Sequence, residues 1–191
     1  MKKIVIFGST GMTGLCAVEA AVNKGLSVRA FVRDPAKVPA HLKDKLEIFQ
    51  GNVLEPDSVH DAVEGTDGVV IVLGTRNALE PTSDMSEGTK NILEAMRAKN
   101  VKNVSACLSA FLFWSADKVP PRFNDLNEDH KRMYQALKDN EPSREMIITV
   151  NPENGPGRTI SKWDLGSFLV DSLSEPKYYK SVIGIANVPK Q

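Results

Sequence analysis

Short apolar runs along the chain alternate with stretches in which apolar residues recur every three or four positions. Residues 4–7, 28–32 and 69–73 are such runs, each closed by Gly or a charged residue, and they read as strands. Between them Leu15, Val18, Ala21 and Val22, and later Val59, Ala62 and Val63, carry helical spacing. The order is therefore β, α, β, α.

Two of these runs are apolar on both parities, as expected for strands covered by helices on both faces, which is the condition of a parallel sheet. The pattern predicts a doubly wound α/β fold in a single domain. Residues 46–49 supply a third strand, 103–107 a fifth, 146–150 a sixth and 182–185 a last edge strand. Helices are expected over roughly 86–99, 127–139 and 161–174. Ser86 before Glu87 and Asn127 before Glu128 each place a side-chain oxygen where a helix start needs an acceptor for its unpaired N–H groups. Pro120-Pro121 and residues 151–157 mark loops by their turn chemistry, and either loop could border a ligand.

A length of 191 residues fits one core. Lys plus Arg equals Asp plus Glu at 24 each, which leaves no global field to draw the chain to nucleic acid or an anionic membrane surface. Cys16 and Cys107 are too few for a disulfide framework and fit a reducing compartment. The apolar run 4–7 is far too short for a span and is followed by glycines rather than a cleavage site, so a cytoplasmic protein is expected.

The chemistry is signalled by Gly8-Ser9-Thr10-Gly11-Met12-Thr13-Gly14, a turn between the first strand and the first helix. Gly8 permits the sharp turn, Gly11 lets a pyrophosphate approach the backbone, and Gly14 lets helix and strand pack closely. The helix N-terminus then faces the anion with free N–H groups, and Thr10 and Thr13 can add hydroxyl donors. The second strand ends in Arg33, with Lys37 near, where an NAD-specific protein would use an acidic residue; a guanidinium there clamps a 2′-phosphate. NADP is favoured, although Asp34 beside Arg33 could instead grip a ribose.

Several further pieces lie in a fixed order: Phe31-Val32-Arg33-Asp34, Leu73-Gly74-Thr75-Arg76-Asn77, Met85-Ser86-Glu87-Gly88, Ser109-Ala110-Phe111-Leu112-Phe113-Trp114, Lys118-Val119-Pro120-Pro121-Arg122 and Asp129-His130. Together with the glycine turn they resemble the flavin reductase (NADPH), or biliverdin-IXβ reductase, family of atypical short-chain dehydrogenase/reductases. The resemblance implies an NAD(P)-binding Rossmann fold and a monomeric cytosolic enzyme. Its reaction would pass hydride from NADPH to flavins such as FMN and riboflavin and to biliverdin-type tetrapyrroles, in an open, tolerant pocket. It assigns Thr10, Gly11, Thr13, Arg33, Asn52, Val53, Leu73, Gly74 and Arg76 to the cofactor, and Gly8, Met12, Gly14, Lys37 and Cys107 are further cofactor candidates. Ser109 would sit at the nicotinamide, with Phe111, Trp114 and His130 around the substrate, and Ser109 and His130 are the candidate catalytic residues.

Two departures stand out. Asn52 replaces the family's usual Asp at the adenine end and can still accept and donate. After the sixth strand, Asn151-Pro152-Glu153 stands where a Pro-Pro-His-Ile-Gly-like turn is expected, and the following loop is about twenty residues shorter in this resemblance. A different alignment deletes the sixth strand and puts residues 146–150 in a later hairpin; the first requires no break between Asn127 and Gly155.

Hydride transfer needs position above all, because the reactive power belongs to the cofactor. The companion proton can come from water, Ser109 or His130. Each candidate also has a plainer reading: Ser109 as a turn serine, His130 as a helix-surface histidine, Phe111 and Trp114 as core. Tyr134 and Lys138 match the Tyr-x-x-x-Lys spacing of classical short-chain dehydrogenases, but fall one helical turn late and read better as a surface pair. His41 and His60 lack any metal-ligand spacing, and no metal is expected. Two rival functions remain, an NADP-sensing regulator without turnover and an alcohol-oxidising or epimerase-like enzyme using Tyr134 and Lys138.

Overall fold

The computed structural model describes residues 1–140, 145–150 and 160–186. Seven strands form one sheet in the order β3-β2-β1-β4-β5-β6-β7. They are β1 Lys3–Phe7, β2 Ser27–Val32, β3 Glu47–Gln50, β4 Gly68–Ile71, β5 Asn103–Leu108, β6 Glu145–Val150 and β7 Ser181–Ile185. Every ladder is parallel. The helices are α1 Met12–Asn23, α2 Ala40–Lys43, α3 Pro56–Val63, α4 Asp84–Ala98, α5 Asn124–Asp139 and α6 Lys162–Asp171. This is the doubly wound α/β arrangement that the apolar runs predict. The sixth strand expected over residues 146–150 is present and lies between β5 and β7, parallel to both.

Strand parity divides the core into two layers. Ile4, Ile6, Val28, Ala30, Val32 and Val70 pack with residues of α1 and α6, whereas Val5, Phe7, Val69, Ile71, Val104, Ala106 and Leu108 pack with residues of α3, α4 and α5. Alternate side chains of one strand therefore serve opposite layers, and burying each is worth about 1.5–3 kcal/mol for the larger aliphatic and aromatic residues. Close approach is built in with glycine: a Cβ on Gly166 of α6 would lie 2.6 Å from Ala17 N of α1.

Buried Arg29 in β2 finishes α3 from outside. Its Nη1 donates to the carbonyls of Asp61, Ala62 and Glu64 at 3.1, 2.7 and 2.8 Å, which are the groups a helix end leaves unpaired.

Two helix starts differ from expectation. α4 begins at Asp84, so Ser86 lies inside it, fully buried, with its hydroxyl donating to Ser83 O at 3.1 Å. α5 begins at Asn124, after the Pro121–Phe123 turn, and Asn127 is a buried residue within it. At α4 the N–H groups of Asp84 and Met85 donate to Thr82 Oγ1 and to the Asp129 carboxylate 44 residues on, whereas α5 has Phe123 at its N-cap and no side-chain cap. Among the described residues no helix is long and apolar enough to cross a membrane.

Candidate functional site

Strand order reverses between β1 and β4, because the chain leaves β1 for β2 and β3 on one side and resumes with β4 on the other. Open parallel sheets place their ligand crevice at the carboxyl ends of such a strand pair. The glycine turn follows β1 directly, and the segment Val72 to Asn77 follows β4.

Gly8 holds a left-handed φ of +83°, and a Cβ there would lie 2.2 Å from Val72 O, so turn and β4 touch through bare backbone. A Cβ on Gly14 would lie 2.1 Å from Gly8 O, which lets α1 settle onto the turn. Gly11 is different. Its added Cβ would approach only Gly8 O, at 3.3 Å, so the fold demands little of it and its bareness is available to a ligand. Gly11 is also the N-cap of α1; no side chain caps this end, and its first turn carries no acidic residue. The N–H groups at Met12, Thr13 and Gly14 are thus presented to an anion, as pyrophosphate binding requires.

The structure joins both sides of this crevice. Arg76 Nη2 donates to Thr10 Oγ1 at 3.0 Å, from a backbone held at φ 55° with Asn77 following at φ 78°. Val53, Leu73 and Gly88 meet as well: a Cβ on Gly88 would lie 2.7 Å from Val53 and 3.3 Å from Leu73. Asn52 Oδ1 accepts from Leu54 N at 3.2 Å and Asn91 Nδ2 donates to Val53 O at 3.0 Å, which pins the loop after β3 against α4. Gly74 is exposed beside them.

Arg33 and Lys37 lie beyond the end of β2, both exposed. Asp34 is already engaged: its Oδ1 accepts from Ala36 N at 3.0 Å and its Oδ2 lies 3.8 Å from Lys37 Nζ. Ser9, which sequence reasoning gave no role, is buried and donates to Phe31 O at 2.9 Å, tying the glycine turn to β2. Its place inside the motif was the available signal, and only the fold shows the partner.

Ser109 directly follows β5 and caps the Ala110–Phe113 turn by accepting from Phe111 N at 3.2 Å. Phe111 contacts Trp114 edge to face at 5.1 Å between centroids and Phe123 at 5.2 Å, while Phe113 meets Tyr134 of α5 at 6.2 Å. All of these aromatic residues are half-buried, so they make a wall with accessible surface. His130 of α5 is half-buried with its Nδ1 enclosed and unpartnered, and burial pushes its pKa down to about 4 against the opposing effect of Asp129. It is a neutral imidazole at physiological pH.

Cys107 projects into the α1/α6 layer, and burial pushes its thiol up to about 12, so it meets a ligand only as an apolar surface. Lys138 Nζ lies 5.4 Å from the centre of the Tyr134 ring, over its face, which leaves the pair as surface packing. His41 is exposed beside Glu19, and His60 is half-buried on α3. The sequence expectations for residues 151–157, including Glu153 and the shortened loop, lie outside the described residues.

The comparisons with known proteins agree with this geometry. A family model described as NAD(P)H-binding matches residues 8–139. An uncharacterized chloroplastic protein of Arabidopsis thaliana is 32% identical over 108 residues, covering 53% of this chain and 39% of that protein. A 3 beta-hydroxysteroid dehydrogenase/Delta 5-->4-isomerase of Mycobacterium tuberculosis is 26% identical over 149 residues, 68% of this chain and 40% of its own. The chain spans about two fifths of the length of these curated relatives. Among solved structures, the NADPH-dependent quinone oxidoreductase QOR2 of Escherichia coli, complexed with NADPH, superposes with a TM-score of 0.71 at 17% identity, covering 96% of this chain and 69% of that one. It shares the fold.

Proposed function

The chain belongs to the NAD(P)H-binding family, and from that premise we propose that it is an NADPH-dependent reductase acting on flavins such as FMN and riboflavin and on biliverdin-type tetrapyrroles. Its cofactor is a nicotinamide dinucleotide, and the oxidoreductases among its relatives support redox turnover. The observation that carries the preference for NADPH is at the end of β2. Asp34, the residue able to hold a ribose hydroxyl, is occupied by Ala36 N–H and Lys37, whereas the Arg33 guanidinium is exposed with no ion pair among the described residues. A fixed fork of charged donors suits a 2′-phosphate.

In this reading Gly8 to Gly14 receive the pyrophosphate, Arg33 and Lys37 the 2′-phosphate, Asn52 and Val53 the adenine end, and Leu73, Gly74, Arg76 and Cys107 the rest of the cofactor. Ser109, Phe111, Trp114 and His130 border the acceptor. NADPH supplies a hydride and leaves as NADP⁺; the reduced acceptor gains that hydride plus one proton from water or the Ser109 hydroxyl. A neutral His130 has no proton to spare on burial grounds, so its part is orientation. The half-buried aromatic wall supports a flat, conjugated acceptor, because stacking area is what such a wall offers. The proposal includes a monomer in the cytoplasm, in keeping with two free thiols and balanced charge.

The test mixes the purified chain with NADPH and FMN, riboflavin or biliverdin and follows the nicotinamide absorbance. Turnover is expected with NADPH and little with NADH. Arg33→Ala should raise KM for NADPH by about 10- to 100-fold, the worth of a lost charge-assisted contact, and leave NADH unchanged. Tight NADPH binding without oxidation of any flavin, quinone or tetrapyrrole would select a cofactor sensor instead.

A further inference from the structure

Among the described residues, two buried side-chain polar atoms have no hydrogen-bond partner, Asn127 Oδ1 and His130 Nδ1. Both belong to α5, and they stand three positions apart. Side chains at that spacing are neighbours on one helix face, with Cβ atoms about 5–6 Å apart. An unsatisfied buried polar atom costs about 1–3 kcal/mol, and two such costs at one spot ask for one explanation.

The two atoms are complementary. An amide oxygen only accepts, and a neutral imidazole carries one N–H and one lone pair. Asp129, the carboxylate between them in sequence, is spoken for: Oδ2 accepts from Met85 N at 3.1 Å and Oδ1 from Arg132 at 3.1 and 3.3 Å. α5 also stands beside the turn after β5, through the Phe113–Tyr134 contact one helical turn beyond His130. Asn127 is 5% exposed and His130 half-buried, so the amide is the more enclosed of the two.

We propose that Asn127 is a positioning residue whose amide oxygen takes the Nδ1 proton of His130, fixing the tautomer that carries its lone pair on Nε2. The two atoms are not bonded to each other in the structure, so a side-chain rotation has to bring them together, and neither has another hydrogen-bond partner to give up. Nε2 is then a hydrogen-bond acceptor at neutral pH, and the group it orients is an N–H, such as the imide or lactam edge of a conjugated heterocycle. The tautomer stands on α5 alone; its use toward an acceptor rests on the reductase reading.

The experiment labels the histidines of the full chain with ¹⁵N and records two-bond N–H correlations at pH 7, with His130 assigned by the signal lost in His130→Gln. The wild-type protein should show protonated Nδ1 and unprotonated Nε2. Asn127→Ala should move the signal toward protonated Nε2, while Asn127→Asp, which keeps an oxygen acceptor, retains Nδ1–H. In the same Asn127→Ala protein KM for flavin should rise about tenfold, with kcat and NADPH affinity nearly unchanged, the pattern of a lost orienting contact. Protonated Nε2 in the wild-type protein, or Nδ1–H unaltered in Asn127→Ala, overturns the proposal; should Asn127→Ala not fold, the wild-type and Asn127→Asp spectra decide alone. An Nδ1–H tautomer in a protein that reduces no acceptor supports the positioning and sinks the reductase, so the two failures are separable.

Discussion

Gly11 and Gly14 are chemically identical, yet the structure asks different things of them. Gly14→Ala would drive a methyl to 2.1 Å from a backbone carbonyl that cannot retreat, so a loss of stability of about 3 kcal/mol or more is expected in urea unfolding. Gly11→Ala meets only one atom, at 3.3 Å, and should unfold within about 0.5–1 kcal/mol of wild type while its affinity for NADPH falls at least tenfold. Equal stability losses in the two variants would count against this division of labour. His130 yields a pH prediction. Its folded-state pKa of about 4 lies below its ordinary value of 6.5, so the unfolded chain binds the extra proton first. Its contribution is complete above about pH 6.5 and is lost as pH falls toward 4, by at most about 3 kcal/mol and less given the ring's partial exposure. Urea unfolding at pH 7 and pH 4.5 should show that loss, and His130→Gln should flatten it. The glycines and Arg33 were legible because backbone geometry and charge are written in residue type. The enclosure of His130 Nδ1 was not, since a histidine among Asp, Lys and Arg on a polar helix looks solvated until its neighbours in space are known.

At the scale of elements, α4 and α5 are held together by a buried carboxylate. Asp129 is fully buried, reaches Met85 N in the first turn of α4 and accepts from Arg132, which in turn donates to Thr82 O at 2.6 Å. Asp129→Ala leaves Met85 N–H without its acceptor while the exposed Arg132 returns to solvent, and a destabilisation of about 1–3 kcal/mol is expected, the cost of an unsatisfied buried donor. Asp129→Asn, which keeps one acceptor, should cost less; the measurement is chemical unfolding of both variants, and equal, near-zero losses would mean the tie is incidental. The same contact explains what local reading misjudged. Existence and type of α4 and α5 followed from apolar spacing, but Ser86 and Asn127 were expected as caps because a polar residue ahead of a glutamate is the usual local signal. The start of α4 is instead served by Thr82 Oγ1, which accepts from Asp84 N at 3.1 Å, and by the Asp129 carboxylate of another helix, which no window of neighbouring residues contains.

For the whole molecule, the doubly wound parallel sheet was legible from apolar runs because parallel strands buried on both faces cannot hide a polar parity, whereas the strand order and the joining of the two halves across the crevice, through residues 66 positions apart, were not. That joining has a measurable consequence. The glycine turn hangs from β1 and Arg76 from the segment after β4, and a dinucleotide laid across the strand reversal would contact both. Binding only to the folded state adds about 2.7 kcal/mol at a ligand concentration 100 times Kd, and for a domain of this size that raises Tm by roughly 5–10 °C. NADPH should reach that rise at a concentration where NADH gives much less. Hydrogen exchange then tests where the stabilisation acts. Slowing is expected both in residues 8–15 and in residues 72–78, since the ligand would close one crevice from two sides. Slowing confined to the glycine turn would mean that the phosphate is held by the first half alone and that the Arg76–Thr10 bond plays no part in the bound state.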